Sequence, residues 1–202
     1  MFSGIIEKRA RVTLAEPSGG SLEIELDSGW ADLALGESIA VNGVCLTVCQ
    51  FDVAGRARFF ISPESLARTN LGGLSIGTEA NLERAVTLDT RLSGHLVQGH
   101  VDGLARLTER TEAEGAWQHV FLLPAALGRY CVEKGSIALN GISLTINGLG
   151  ARSDGVAVHV TIIPHTWEHT NLHRLVIGDE LNVEVDVMAK YVERLCLPYL
   201  KP

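Results

Sequence analysis

The chain has 202 residues, 46% of them hydrophobic, with 17 basic and 24 acidic residues and a formal net charge of −7. This composition is rich enough in apolar residues for a packed core and excludes an intrinsically disordered chain. No run of Lys or Arg is long enough to follow a phosphate backbone, so we expect no nucleic-acid partner.

We also expect neither a membrane span nor an export signal. The fully apolar runs are only a few residues long, against the roughly 20 that a spanning helix needs. The apolar start of the chain leads directly into the charges of Glu7, Lys8 and Arg9, which is not the order of a secretory signal. The four cysteines are too few to staple a chain of this length, so we expect reduced thiols and a cytoplasmic protein.

Short strands separated by turns are predicted along the chain. Residues 22–26 and 156–160 alternate with the two-residue period of a strand. Turns are marked by glycine-containing pairs at residues 19–20, 42–43, 140–141 and 154–155. The segments just after Pro63 and Pro164 are expected to form short helical turns. Many short strands with frequent turns indicate a barrel or a sandwich.

An internal repeat divides the chain into two halves. Residues 38–48 return 98 positions later as residues 136–146, with seven of eleven residues identical. Further blocks return in the same order, 63–71 as 164–172, 77–83 as 178–184 and the opening 4–13 as 99–108. The slow growth of the offset indicates small insertions in the second copy. The boundary between the copies is expected near residues 94–99.

The repeated strand separates two faces, because side chains two residues apart point the same way. The apolar face, expected to fill the barrel interiors, carries Val44, Leu46 and Val48 in one copy and Ile142, Leu144 and Ile146 in the other. The opposite face carries Cys45, Thr47 and Cys49 in one copy and Ser143, Thr145 and Asn147 in the other. This small polar face is compatible with a shallow site outside each barrel and with an ordinary solvated strand.

The tail, residues 187–197, has the spacing of a helix. Met188, Tyr191, Val192 and Leu195 fall on one face at i, i+3, i+4 and i+7. Such a stripe needs a surface to cover it, which is either a partner chain or the protein's own barrel. The spacing alone does not choose between the two.

One segment fits a zinc-binding pattern. His165, Glu168 and His169 match H-x-x-E-H, but the corresponding residues 64–68 of the first copy contain no histidine, and no third ligand is evident. The cysteines at positions 45 and 49 have no second pair to complete a four-ligand site. We therefore expect no metal and no cofactor.

Two further histidines stand close together in the sequence. His95 and His100 are five residues apart and would point to opposite faces of a strand, so they are not expected to share a metal. For His95 two interpretations stay open, a histidine held by local hydrogen bonds and a catalytic one.

Several motifs resemble those of the riboflavin synthase family. Residues 1–5, Met-Phe-Ser-Gly-Ile, resemble the family's opening Met-Phe-Thr-Gly-Ile. Residues 42–48, 68–71 and 94–103 are similar to motifs of its first barrel, and residues 134–136 and 141–145 to motifs of its second. The resemblance spans nearly the whole chain in the right order, which makes it far more specific than any single motif.

This resemblance implies an all-β fold of two similar six-stranded antiparallel Greek-key barrels and a C-terminal α-helix. It divides the chain into a first lumazine-binding barrel at residues 1–95, a second at residues 96–187 and an oligomerisation helix at residues 188–202. It implies a homotrimer with each site between the first barrel of one subunit and the second barrel of the next. Lumazine synthase is a further partner that the resemblance suggests.

The implied activity is that of a cofactor-free transferase. Two molecules of 6,7-dimethyl-8-ribityllumazine are dismutated to riboflavin and 5-amino-6-(ribitylamino)uracil by transfer of a four-carbon unit, the final step of riboflavin biosynthesis. A reaction between two identical substrates fits a chain that contains two copies of one repeat.

The resemblance also assigns the site residues by position. Cys45 and Ser143 would face the two rings, while His100 and Thr145 would assist proton transfer or hold ring heteroatoms. The catalytic set is Cys45, His100, Ser143, Ser38, Lys134 and Asp186. The substrate-binding set is Phe2, Gly4, Ile5, Ile6, Cys45, Leu46, Thr47, Ser62, Pro63, Glu64, Ser65, Gly99, His100, Val101, Lys134, Ser143, Leu144, Thr145, Ile162, Ile163, Pro164, His165, Thr166 and Trp167.

Four positions depart from the family pattern, and none of them belongs to the catalytic set. Ser3 replaces Thr, Ser93 replaces the first Gly of Gly-Gly-His, Asn140 replaces Asp and His165 replaces Glu. Asn140 removes a charge beside the second site, and His165 alters the expected contacts to a ribityl chain.

Two rival functions remain. Some homologues bind lumazine or flavin without converting it, and they lose part of the polar set, whereas Cys45, His100, Ser143 and Lys134 are all present here. A barrel module that binds oligonucleotides is opposed by the net charge of −7. The sequence therefore favours the enzyme.

Overall fold

The computed structural model describes residues 1–200 and contains two closed six-stranded antiparallel barrels. The first barrel is formed by β1 Lys8–Ser18, β2 Ser21–Asp27, β3 Ser38–Val41, β4 Val44–Phe51, β5 Arg56–Ile61 and β6 Glu79–Arg84. The second is formed by β7 Gly103–Ala113, β8 Ala116–Leu123, β9 Ser136–Leu139, β10 Ile142–Arg152, β11 Gly155–Ile162 and β12 Glu180–Val185. The predicted all-β fold is confirmed.

Both barrels have the same strand order. In the first, the order β1-β2-β5-β4-β3-β6 closes through the pairing of β1 with β6, and the second repeats it as β7-β8-β11-β10-β9-β12. Register shifts recur at equivalent places, between Val48 and Gln50 in β4 and between Ile146 and Gly148 in β10. Such bulges bend a strand and help a small sheet to close.

The interior of each barrel holds the apolar face that the repeat predicted. Val44, Leu46 and Val48 are buried in the first core, and Ile142, Leu144 and Ile146 are buried in the second. Thr47 and Thr145 on the opposite face are exposed. The alternation of the repeated strand therefore indicated correctly which side chains point outward.

Short helices follow β5, β8 and β11, and a longer helix follows β12. The helices are α1 Pro63–Arg68, α2 Ala125–Gly128, α3 Pro164–His169 and α4 Val187–Leu200, with 3-10 helices at Asn70–Gly73 and Asn171–Arg174. Pro63 and Pro164 stand at the first position of α1 and α3, where a missing N–H costs nothing. The predicted helical turns and the tail helix are confirmed.

Polar side chains tie α4 to the second barrel. The Lys190 ammonium lies 2.6 Å from the Asp102 carboxylate, and the Tyr130 hydroxyl donates to Glu193 at 2.6 Å. The apolar stripe points away from these contacts and is exposed, with Tyr191 at 61% and Val192 at 55%. Of the two interpretations of the stripe, packing on its own barrel does not describe this chain.

Six asparagines join the two barrels in a reciprocal network. Asn171 Nδ2 donates to Asn42 Oδ1 at 3.0 Å, and its counterpart Asn70 Nδ2 donates to Asn140 Oδ1 at 2.9 Å. The full set is Asn42, Asn70, Asn81, Asn140, Asn171 and Asn182. This network fixes how the two barrels face each other.

No helix within residues 1–200 is both long and apolar enough to cross a membrane.

Candidate functional site

Two chain segments cross between the barrels and bring the predicted site residues together. We call residues 2–6 the opening arm and residues 97–101 the middle arm. The opening arm lies on the second barrel, where Ser143 N donates to Gly4 O at 2.7 Å, and the middle arm lies on the first, where Cys45 N donates to Gly99 O at 2.9 Å. Each barrel therefore receives part of its outer wall from the arm that opens the other repeat.

The arms run so close to the barrels that glycine is required at one point in each. Gly4 and Gly99 have φ of +77° and +81°, in the left-handed region that glycine tolerates. A Cβ at Gly4 would lie 2.6 Å from the Cβ of Ser143, and one at Gly99 would lie 2.6 Å from the Cβ of Cys45. Any side chain there would push the arm off the strand that carries the expected ring contact.

A buried glutamate anchors each arm from behind. Glu83 accepts hydrogen bonds from Ser3 N at 2.6 Å and Gly4 N at 3.0 Å. Glu184 accepts from the backbone N–H groups of residues 98, 99 and 100 at 2.6, 2.8 and 3.0 Å. Burial raises the pKa of both carboxyls, and the N–H donors oppose that shift because they stabilise the charged form.

Neither glutamate was among the predicted site residues. The repeat did contain a signal for them, because Glu83 and Glu184 occupy the same place in the block 77–83 and 178–184. A carboxylate held in a barrel wall in both copies is unusual unless it has a partner, and here the partner is an arm.

The first face is the outer surface of the first barrel around Cys45 and Thr47. Cys45 is partly buried beneath the middle arm, while Thr47 is exposed and pairs with Ser38 across β3 and β4. His100 follows Gly99 in the arm and is exposed. The structure thus brings four of the predicted residues to one surface.

The start of α1 borders this face. Ser62 caps the helix, because the N–H of Ser65 donates to Ser62 Oγ at 3.2 Å. Pro63 and Glu64 are exposed at the same helix start. The contact of residues 62–65 with a ligand stays a prediction.

The second face is the equivalent surface of the second barrel around Ser143 and Thr145. Thr145 pairs with Ser136 across β9 and β10, as Thr47 does with Ser38. Ile5 of the opening arm is exposed and Ile6 is half-buried beside this surface. The two faces are built alike from the backbone upward.

His95 makes the second face chemically different from the first. Its Nδ1 lies 2.7 Å from Ser143 Oγ, while its Nε2 is buried with no hydrogen-bond partner in the part of the chain that the structure describes. Burial lowers the pKa of His95, and the negative charge of Asp186 partly offsets this. A neutral imidazole in contact with a serine hydroxyl can take up or return a proton.

The structure thus places His95, which the sequence left open, beside a predicted catalytic residue. His95 and Ser143 are 48 positions apart in the sequence, so no local pattern predicts their contact. The charge of Asp186 acts on His95, and its Oδ1 accepts from Met188 N at 2.9 Å at the start of α4. Lys134 is exposed near the second face, with φ of +65°, and its backbone N–H donates to Ile146 O at 2.8 Å.

Several predicted substrate contacts have buried side chains. Phe2, Leu46, Leu144 and Ile162 are buried, the first between the barrels and the others inside them. Gly4 and Gly99 are buried as well, and Val101 packs partly against the first core. At these positions only backbone groups are available to a ligand on the outer faces.

The segment around α3 presents a mixed surface to the second face. Ile163, Pro164 and His165 are exposed, and Thr166 is half-buried. Trp167 is stacked on Trp117 with ring centroids 4.4 Å apart. These residues stand in the second barrel where residues 62–66 stand in the first.

The zinc-like motif at the same place forms no ligand cluster. The rings of His165 and His169 stack on each other at 4.2 Å, and His169 Nδ1 lies 2.8 Å from the carbonyl oxygen of His165. Across residues 1–200, no three His, Cys, Asp or Glu side chains come together as metal ligands.

Two departures from the family pattern have a structural account. Asn140 uses its Oδ1 as an acceptor for Asn182 N and Asn70 Nδ2, both at 2.9 Å, which an Asp could equally do. Ser93 is exposed, whereas a Cβ on the adjacent Gly94 would collide with the carbonyl oxygen of Ser3. Of residues 93 and 94, only residue 94 therefore needs to be glycine.

Comparison with known proteins agrees with this architecture. The model of the lumazine binding domain family matches residues 3–85 and 98–186. The riboflavin synthase of Mycobacterium bovis is 47% identical over 198 residues, covering 96% of this chain and 98% of that protein. The riboflavin synthase of Photobacterium phosphoreum is 37% identical over 200 residues, covering 98% and 89%.

Solved structures share the fold at lower identity. LumP complexed with 6,7-dimethyl-8-(1'-D-ribityl) lumazine superposes with a TM-score of 0.80 at 22% identity, covering 92% of this chain and 99% of that one. LumP complexed with riboflavin gives a TM-score of 0.82 at 22% identity, with the same coverage. Two family matches, full-length relatives and the twin barrels agree, and the chain belongs to the riboflavin synthase family of lumazine-binding proteins.

Proposed function

We propose that the protein is a riboflavin synthase that converts two molecules of 6,7-dimethyl-8-ribityllumazine into riboflavin and 5-amino-6-(ribitylamino)uracil. The observation that carries this proposal is the pair of repeat-related faces, each with a small nucleophilic or hydroxyl side chain, Cys45 or Ser143, beneath a crossing arm. Two equivalent faces fit a reaction that consumes two copies of one substrate. The full-length relatives named above support the same assignment.

The two faces would act together across a subunit boundary. Each is an open outer surface, and α4 exposes an apolar stripe that the described part of the chain does not cover. We propose a homotrimer in which the first face of one subunit meets the second face of the next, a head-to-tail contact that closes into a ring. Covering both sides would also exclude water from the stacked substrates.

Positioning would supply most of the rate in this arrangement. The donor lumazine must lose a proton from its C7 methyl, and the acceptor must take a nucleophile at C7. Holding two flat rings in reacting geometry replaces a bimolecular encounter and is worth many orders of magnitude in effective concentration. The side chains on each face would fix the ring edges and the ribityl chain.

Proton transfer would fall mainly to the second face. His95 is kept neutral by burial and touches Ser143 Oγ at 2.7 Å, so the pair can relay a proton at neutral pH. Asp186 would stabilise the imidazolium once it forms, and His100 would serve the first face from the middle arm. General acid–base assistance of this kind contributes roughly 10²–10⁴-fold.

Location and a further partner also belong to the proposal. The four cysteines are all free thiols, which suits a reducing compartment, and we place the enzyme in the cytoplasm. Lumazine synthase is the proposed further partner, because it would release the substrate beside the enzyme that consumes it.

The proposal is tested by incubating the purified protein with 6,7-dimethyl-8-ribityllumazine alone and following riboflavin absorbance. One riboflavin should form for every two lumazines consumed, and prolonged exposure to a strong chelator should leave the rate unchanged. Binding of lumazine without any conversion would instead make the protein a carrier. Activity that is lost on chelation and restored by zinc would instead indicate a zinc site at His165 and His169.

A further inference from the structure

Phe60 is an exposed aromatic side chain at the edge of the first face. It lies in β5 with 50% of its surface accessible, although its neighbours Phe59 and Ile61 are buried in the barrel. The alternation of the strand therefore turns Phe60 outward. Single exposed apolar residues are common on protein surfaces, so exposure alone says little.

Phe60 lies on the outward side of the strand that leads into α1. Phe59 pairs with Val48, the residue after Thr47, and Phe60 itself pairs with Glu23 of β2. Side chains two residues apart in an extended segment point the same way, so Phe60 and the capping residue Ser62 share the outward side. Phe60 therefore lies at the side of the first face that is formed by β5 and the start of α1.

The second barrel provides an internal comparison. The repeat of residues 63–71 as 164–172 makes Thr161 the counterpart of Phe60. Thr161 is also exposed, and it pairs with Gln118 of β8 as Phe60 pairs with Glu23 of β2. The same position therefore carries an aromatic ring in the first barrel and a hydroxyl in the second.

The surroundings of the two positions differ in the same direction. The first face has Cys49 where the second has Asn147. Beyond Thr161 the second barrel has a hollow of about 380 Å³ lined largely by polar residues, among them Gln118, Asn147 and His159. The second face does have its own apolar residue, Ile163, at the place of Ser62. An aliphatic side chain there cannot stack on a flat ring as phenylalanine does.

We infer that Phe60 is a specificity residue that makes the first face the tighter site for riboflavin. This inference rests on the proposed function. Riboflavin differs from the lumazine substrate by an additional benzenoid ring that carries two methyl groups, and an adjacent aromatic side chain favours the ligand with the larger flat apolar surface. The product is thereby retained on the first face, and turnover slows as riboflavin accumulates.

The test is an equilibrium titration of the full-length protein with riboflavin, followed by quenching of flavin fluorescence. Phe60→Thr, which introduces the residue of the second barrel, should weaken the tighter riboflavin site by about three- to tenfold. The KM for lumazine should change by a smaller factor, and inhibition by added riboflavin should weaken in proportion. The variant should fold, because the side chain is exposed and threonine is favoured in strands.

Two further variants complete the test. Phe51→Thr makes the same chemical change at another exposed position of the first barrel and should leave riboflavin affinity unaltered. Thr161→Phe should strengthen riboflavin binding at the second face. Unchanged affinity in both Phe60→Thr and Thr161→Phe overturns the inference while wild-type turnover stands. A wild-type protein that neither binds riboflavin nor forms it would instead overturn the proposed function.

Discussion

The two barrels share one backbone plan but carry different chemistry on their outer faces. Both have the same strand order, a crossing arm, a buried glutamate and a Ser–Thr pair at the same register. On the second face Ser143 touches His95, which lies near the charge of Asp186. On the first face the counterparts of Ser143 and Asp186 are Cys45 and the uncharged Ala85, both packed against the apolar cluster that contains Phe2. The comparison teaches that the fold builds two equivalent surfaces, while a few outward side chains make the chemistry of those surfaces unequal.

The largest loss of activity is expected from substitution of the glycines in the two arms, which belong to the architecture that both barrels share. Gly4→Val and Gly99→Val should each reduce turnover below detection, because the new side chain collides with the strand that carries Ser143 or Cys45. The overpacking should also lower the free energy of unfolding by about 1–3 kcal/mol. Gly19→Val is the control, since a side chain there meets nothing within 4 Å. Equal losses in the control would show that only backbone strain was measured.

Substitution of His95 tests the chemical difference between the two faces. His95→Gln should lower turnover by about 10²-fold with little change in melting temperature, if the histidine serves as a proton relay. His159→Gln, elsewhere on the second barrel, should have little effect. A His95 variant with near wild-type turnover would make that histidine a structural element only.

The same histidine predicts a pH dependence. Because burial lowers the pKa of His95, the acidic limb of turnover should lie below pH ~6.5, the ordinary value for histidine. The charge of Asp186 raises that pKa, so Asp186→Asn should move the limb further toward acid while its amide oxygen still caps α4. A limb that moves toward neutral pH would contradict the assignment.

A smaller loss of turnover is expected when the contact between subunits is weakened and the residues of the two faces are left unchanged. In the proposed homotrimer, burial of the α4 stripe between subunits would contribute roughly 1.5–3 kcal/mol per large apolar side chain. The double change Val192→Asp and Leu195→Asp should therefore shift the proposed trimer toward monomers at micromolar concentration and reduce turnover in parallel. Arg194→Ser, on the same helix outside the stripe, should do neither. Sedimentation velocity and turnover of the same samples decide the matter, and a monomer with full activity would exclude a shared site.

The smallest effects are expected in the asparagine network, where both barrels should respond alike. Asn42→Asp and Asn140→Asp keep the acceptor oxygen that each side chain uses, so stability should change by no more than about 1 kcal/mol. Asn182→Asp should cost about 1–3 kcal/mol, because Asn182 Nδ2 donates to Asn42 O at 2.8 Å and a carboxylate would face that carbonyl. Chemical denaturation of the three variants provides the comparison.

Local pattern in the sequence was sufficient for the strands and the repeat, whereas the six-stranded barrels were implied by the family resemblance. Strand alternation separated inward Leu46 from outward Thr47, and the repeat indicated two copies of one barrel or sandwich. Contacts that join distant residues escaped it, because the crossing arms, the Glu83 anchor and the pairing of His95 with Ser143 depend on three-dimensional closure. The stripe of α4 lay between these cases, since its spacing gave a helix but not the surface that covers it.

The crossing arms also bear on the origin of the molecule. Contacts in which one copy gives its arm to the other and receives the same in return are those of an isologous dimer. In a true dimer of identical chains, a substitution alters both halves at once, and neither can specialise. The single chain removes that symmetry, and His95 lies in the very connector that joins the two copies. Within a single chain, the contact between His95 and Ser143 can therefore serve one face without altering the other.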